Sequence, residues 1–265
     1  MRRVPLLITL AGLLALAGCT GPTTSPTSAT TSPTPGSPGS SADAHGNDTP
    51  TAAPGASPTP RPGTATVDLD GAAGRGSLLV ETPAGATVTT RNAASGSTRV
   101  TVRHLARGRN VVVRATDPAS ATLQDELDET FGLVTSAGTT LGGLARPGGG
   151  IARGDEGTVV VTASGDTVTL WLGTGTPRSA TWGVNEGGRS IAVDANAWAR
   201  ASAHAGAEAT WSALVVEQPD ADVPGMHDQL LCHALGAPDK PTWNLEPWRP
   251  DVGLVATLAA GCNPT

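Results

Sequence analysis

The chain has 265 residues, 38% of them apolar, 3% aromatic and 15% charged, with 34 glycines and 22 prolines. Its formal net charge is −6 at pH 7, from 17 basic and 23 acidic side chains. That balance argues against a nucleic-acid partner and against a polybasic contact with anionic lipid.

Arg2 and Arg3 precede an almost unbroken apolar run from Val4 to Ala17. A spanning helix needs roughly 20 apolar residues, and this run is shorter, so residues 1–18 are expected to be a signal peptide. Leu16-Ala17-Gly18-Cys19 closes the run and resembles the lipobox of bacterial lipoproteins at all four positions. The resemblance implies cleavage before Cys19 and diacylglycerol on its sulfur, with a further fatty chain such as palmitate. Two or more acyl chains hold firmly where one holds marginally. The expected location is therefore the outer face of the plasma membrane, in the cell envelope. The plainer alternative is an ordinary secretory signal followed by a chance cysteine. Without Arg2 and Arg3 the mature chain would carry 15 basic against 23 acidic groups, a net −8.

From Cys19 to Thr64 the sequence is almost entirely Thr, Ser, Pro, Gly and Ala. No apolar periodicity is present, so a disordered linker is expected. As a flexible coil its ends would lie about 35–40 Å apart, and fully extended it would reach about 140 Å.

Residues 65–146 read as a β-rich subdomain. Thr66–Asp70, Ser77–Glu81, Ala86–Thr90, Ser97–Arg103 and Asn110–Ala115 are expected strands, rich in Val and Thr and separated by glycine-bearing turns. Ala119–Thr130 is a candidate short helix, with Leu123 and Leu127 four apart, or else a loop. Arg146-Pro147-Gly148-Gly149-Gly150 looks like a hinge before a C-terminal domain over 151–265. Thr158–Ala163 and Asp166–Leu172 flank Ser164-Gly165 and suggest a two-residue hairpin. Ser190–Val193 is one more expected strand.

The pattern then turns helical. Gly206–Val216 places Ala207, Trp211, Leu214 and Val215 on one side. A second helix is expected over Pro224–Leu235, with Asp222 as its cap and Pro224 in its first turn. Val252–Ala260 is apolar. Strands first and helices later give an α+β class, with a sandwich-like sheet followed by a small α+β domain. With Cys19 lipidated, Cys232 and Cys262 are left as a pair in an oxidising compartment, where a disulfide is expected. The alternative is a reactive thiol at Cys232.

Pro224–His233, Ala237–Pro250 and Gly261-Cys262-Asn263-Pro264, with Trp198 and Trp211 upstream, resemble domain-of-unknown-function family 2599, over roughly residues 185–264. The resemblance implies a domain boundary and an exported protein, but no activity.

Trp243 and Trp248 stand among Pro241, Pro247 and Pro250. They could build a core, or they could form a stiff platform on which Asn244, Glu246 and Arg249 bind a sugar chain or a peptide. His227 and His233 are six apart, about 120° around a helix, and cannot chelate one metal from one face. No metal or cofactor site is therefore expected. Asp68-Leu69-Asp70-Gly71 lacks the later ligands of a calcium loop, and reads as a strand ending in a turn. Arg153-Gly154-Asp155 is a three-residue match to the motif integrins read, of a kind common by chance. No nucleophile elbow, P-loop, zinc-protease or dinucleotide motif occurs. Glu217, Asp220, Asp222, Asp228 and Glu246 could supply paired carboxylates.

The expectation is a lipid-anchored, non-enzymatic binding module for a wall glycan or another exported protein. One alternative is a wall hydrolase using Asp228, His233 or Glu246 as acid or base. The other is a structural lipoprotein without a specific ligand.

Overall fold

The computed structural model describes residues 61–93, 96–126 and 128–265. The lipobox-like segment, Cys19 and the Thr/Ser/Pro linker lie outside the described residues.

Twelve strands build two facing sheets. They are β1 (Arg61–Pro62), β2 (Thr64–Gly71), β3 (Gly74–Glu81), β4 (Thr87–Ala93), β5 (Ser97–Arg103), β6 (Asn110–Ala115), β7 (Ala121–Asp125), β8 (Phe131–Thr135), β9 (Thr140–Leu144), β10 (Gly150–Arg153), β11 (Val159–Thr162) and β12 (Thr167–Gly173). The seven-stranded sheet runs β1-β4-β5-β12-β9-β8-β7 and the five-stranded sheet β10-β11-β6-β3-β2. Alternation of Val and Thr sends one set of side chains inward. Val67, Val80, Val111, Val113, Val159 and Val161 meet Val88, Val100, Val102, Val168 and Leu170 from the opposite sheet in one core. The whole is a β-rich α+β protein.

The C-terminal part continues with β13 (Ser179–Asn185), β14 (Gly188–Asp194), α1 (Ala197–Ala201), α2 (Ala203–Glu217), α3 (Met226–Gly236), β15 (Trp243–Leu245) and α4 (Leu254–Ala259). A small sheet β13-β14-β15 and the helices enclose a second core around Trp198, Leu214, Met226, Leu230 and Trp243. Cys232 and Cys262 form a disulfide, 30 residues apart. The loop closure is worth about 3–4 kcal/mol in the chain-entropy model.

Four expectations change. The candidate helix 119–130 contains a strand, β7, in which Ala121 and Leu123 alternate inward and pair with β8. The Ser164-Gly165 turn joins no hairpin, because β11 pairs with β10 and β6 while β12 pairs with β5 and β9. The chain crosses there from one sheet to the other, since Val159 and Val161 must face Val168 and Leu170 across the core. Residues 146–150 therefore divide no domains in the sheets: β10, β11 and β12 complete both sheets of the sandwich. Finally, Asp222 does not cap α3, which begins after Gly225, whose φ of 81° only glycine adopts readily.

β8 and β9 are buried almost throughout, because the sandwich core covers one face and α2 the other. The fit is backbone against backbone. A Cβ on Gly175, just past β12, would lie 2.1 Å from the carbonyl carbon of Ala209 in α2, and one on Gly206 would lie 2.0 Å from the carbonyl oxygen of Ala199 in α1. A Cβ on Gly165 would meet nothing within 4 Å. Gly175→Ala is thus expected to lower unfolding free energy by about 1–3 kcal/mol or more, with Gly165→Ala close to neutral. Urea unfolding of the two variants measures the difference.

Candidate functional site

The Lys240–Pro250 segment is held by its backbone before any side chain acts. β15 pairs with β14 in the register Val193↔Trp243 and Ile191↔Leu245. Arg200 of α1 fastens the approach, donating to the carbonyls of Pro238 and Lys240 at 2.6 Å and of Pro241 at 2.8 Å. Its guanidinium also lies 5.0 Å from the Trp243 ring centre. The Trp243 indole is fully buried and donates to the Ala237 carbonyl at 3.2 Å. It presents no face to a ligand and serves as a core residue.

Glu246 and Arg249 are buried as well, at 1% and 4% exposure. Arg249 Nε donates to Glu246 Oε2, Nη2 donates to Glu186 Oε2 at 2.6 Å, and Nη1 donates to the Pro264 carbonyl at 3.2 Å. Asn185 Nδ2 donates to the other Glu246 oxygen at 2.6 Å. Gln229 of α3 exchanges two bonds with the Glu246 backbone, at 2.8 and 3.1 Å. Burial works against the guanidinium charge, and Glu246 and then Glu186 outweigh it, so the Arg249 pKa is raised. The knot exists because Glu186 and Gly187 take φ values of 50° and 85° in the turn of the β13–β14 hairpin. A two-residue turn with both central φ positive suits the strand twist, and here it aims Glu186 at Arg249.

Trp248 alone of the expected platform is exposed, at 46%. It lies over β14, where a Cβ on Gly188 would come within 2.1 Å of its Nε1, and its ring centre is 4.5 Å from the Arg249 guanidinium. Asn244 is half-buried, and its backbone carbonyl faces His233 Nε2 at 3.0 Å. Burial lowers the His233 pKa, so the ring is neutral near pH 7 and donates from Nε2. Its Nδ1 is buried without a hydrogen-bond partner. Asp228 sits in the first turn of α3. Among the described residues no hydrogen bond or ion pair joins it to His233 or Glu246. The carboxylate candidates are scattered too, with Asp220 tied to Arg189 at 2.7 Å.

The sandwich carries a cleft of about 530 Å³ that the sequence did not reveal. Leu69, Leu133 and Leu141 form its apolar floor, and Asp68, Asp70, Arg75, Ser77, Asp117 and Ser120 stand around it. Asp70 is paired with Arg75 at 3.1 Å. Asp68 accepts from the Ser77 hydroxyl at 2.7 Å. The Ser120 hydroxyl, above all, holds the Asp117 pKa below its ordinary value. The alternation that marks β2 gives Asp68 and Asp70 as outward residues, but only the folded sheets bring Asp117 to them.

Polar groups removed from a buried knot leave their partners unsatisfied. Arg249→Met strands the buried Glu246 carboxylate and is expected to cost about 3–5 kcal/mol. Chemical denaturation with the disulfide intact reads that loss.

Residues 178–265 match the family model described as "Protein of unknown function (DUF2599)". An uncharacterized protein of Mycobacterium tuberculosis (strain ATCC 25618 / H37Rv) is 47% identical over 64 residues, 23% of this chain and 43% of that protein. A Mycobacterium bovis relative matches to the same extent, so the chain spans under half the length of these two relatives. An uncharacterized protein of Mycobacterium leprae (strain TN) is 37% identical over 83 residues, 28% of this chain and 68% of that protein. No solved structure matches. With that coverage and the match over residues 178–265, the chain belongs to the DUF2599 family.

Proposed function

We propose that this protein is an exported, lipid-anchored and non-enzymatic binding module of the cell envelope. The lipobox-like Leu16–Cys19 and the Thr/Ser/Pro stretch support the anchoring and the display. The observation that carries the binding reading is the sandwich cleft. Its volume of about 530 Å³ lies in the range of small-molecule and side-chain sites. Its lining contains no histidine or cysteine. Its Asp117 is shifted toward the ionised form, the opposite of a general acid. Three carboxylates against one arginine over an apolar floor fit a partner with a cationic group on an apolar body.

A second reading places an exported protein on the C-terminal domain. Val255 is 83% exposed, and Val252, Leu258 and Trp248 are 40–46% exposed. Arg178, Arg189, Arg200 and Arg249 of that domain are meanwhile each paired with a carboxylate. Apolar side chains left outside a core mark contact surfaces.

Crosslinking and pull-down from intact envelopes separates the two. Asp68→Asn with Asp117→Asn tests the cleft, and Trp248→Ala with Val255→Asp tests the C-terminal surface. Capture of the partner is expected to fall about tenfold in the aspartate variant, the loss matching about 1.4 kcal/mol, with folding unchanged. Equal capture by wild type and both folded variants contradicts the binding reading. Loss only in the tryptophan–valine variant moves the site to the C-terminal domain.

A further inference from the structure

Four titratable side chains from distant parts of the sequence stand in a row where the helices meet the sandwich. Glu126 follows β7, His204 and Glu208 lie one turn apart on α2, and His227 opens α3. Glu126 Oε2 is 2.9 Å from His204 Nδ1, an ion-pair approach not aligned as a hydrogen bond, and His204 Nε2 is 3.6 Å from Glu208 Oε1. His227 Nε2 is 3.1 and 3.2 Å from the two Glu208 oxygens. Side-chain exposure runs from 15% at Glu126 to 37% at His227, so solvent screening is only partial. The Trp211 ring stands 5.1 Å from the His227 ring.

Asp128 is a further charge facing the row. Its Oδ2 accepts the His204 backbone N–H at 2.9 Å, and the Thr130 hydroxyl accepts that of Ala205 at 3.2 Å. The β7–β8 connection thus caps α2 from outside the helix, satisfying N–H groups that the helix itself cannot. Glu129 in the same connection is paired with Arg146, and among the described residues no lysine or arginine bonds to Glu126, Asp128 or Glu208. Among the described residues no group of three or more His, Cys, Asp or Glu is placed to hold a metal ion. The row is a chain of pairs. With both imidazoles protonated its charges alternate. With both neutral, Glu126, Asp128 and Glu208 face one another with no cation between them.

We propose that the row Glu126–His204–Glu208–His227 is a pH-sensitive latch, fastening α2 and α3 to the β7–β8 edge of the sandwich in mild acid and loosening them in mild alkali. The Glu126 carboxylate raises the His204 pKa, and burial opposes it with less effect. In the unfolded chain the imidazole titrates near about 6.5. A folded value above that makes the stabilisation complete below about pH 6.5 and lost as pH rises through the folded value. His233 acts in the opposite direction, since burial lowers its pKa. Its cost is felt only below about pH 6.5, so the range above that pH isolates His204.

NMR titration of the His204 ring in the full chain tests the latch directly. The ring is expected to titrate above the ordinary imidazole value in wild type and to fall back toward it in Glu126→Gln. Thermal unfolding from pH 6.5 to 8.5 gives the second readout. Tm is expected to drop by about 2–4 °C over that range in wild type, and the drop is expected to shrink in His204→Gln. An ordinary or lowered His204 titration overturns the proposal. So does a wild-type Tm slope that His204→Gln leaves intact.

Discussion

A helix can lie directly on a sheet only where neither backbone pushes a side chain into the gap. That constraint governs the seam where α1 and α2 meet each other and the sheet strands β8, β9 and β12. Gly173, Gly175 and Gly206 leave room that a Cβ would occupy, against the Trp198 ring, the Ala209 backbone and the Ala199 carbonyl in turn. Ala205, Ala207, Ala209 and Ala213 keep the rest of α2 narrow. Close approach lets polar groups cross the seam. The Ser212 hydroxyl accepts the Thr140 N–H at 3.1 Å, and the Trp198 indole donates to the Trp171 carbonyl at 3.1 Å. Asn196, fully buried, caps α1 with its Oδ1 and donates from Nδ2 to the carbonyls of Thr174 and Thr176. Each of these groups would be costly to bury unpaired.

The seam explains how charge is distributed beyond it. α3 packs against α2, and β15 against α3 and β14, and the interior between them receives Glu246 and Arg249 as a mutually satisfied knot. A buried ion pair is weak evidence of stability, but its geometry is demanding. It binds Asn185, Glu186, Gln229 and Pro264 to one place. The C-terminal domain thereby carries a charged knot beside its apolar core and several apolar side chains outside it. The sandwich keeps the reverse arrangement, an apolar floor with carboxylates at the opening.

Strands with plain alternation were legible: β2, β3, β5 and β6 fall where Val and Thr alternate. The Cys232–Cys262 bridge and the two long helices were legible too. β8 and β9 were not, because a strand covered on both faces has no alternation to read. Ser164-Gly165 carries the composition of a hairpin turn, and only the inward faces of Val161 and Val168 decide that the chain crosses to the other sheet. β13 was missed although Gly187-Gly188 marks its turn. Trp243, Glu246 and Arg249 looked like a ligand platform because stiff prolines surround them. Their burial depends on α3 and on the Asn185–Glu186 turn, about 60 residues upstream in sequence. The histidine row draws on residues 126 to 227, a span that no local motif covers.

We expect the sandwich and the family domain to unfold as one unit, because α2 is seated on β8 and β9. Native-state hydrogen exchange measures this most directly. The amides of Thr140 at the seam, Val113 in the sandwich core and Leu230 in α3 are expected to share one opening free energy, and Gly175→Ala to lower all three equally. A Leu230 amide that opens independently of Val113, or a Gly175→Ala effect confined to one side of the seam, would contradict the account.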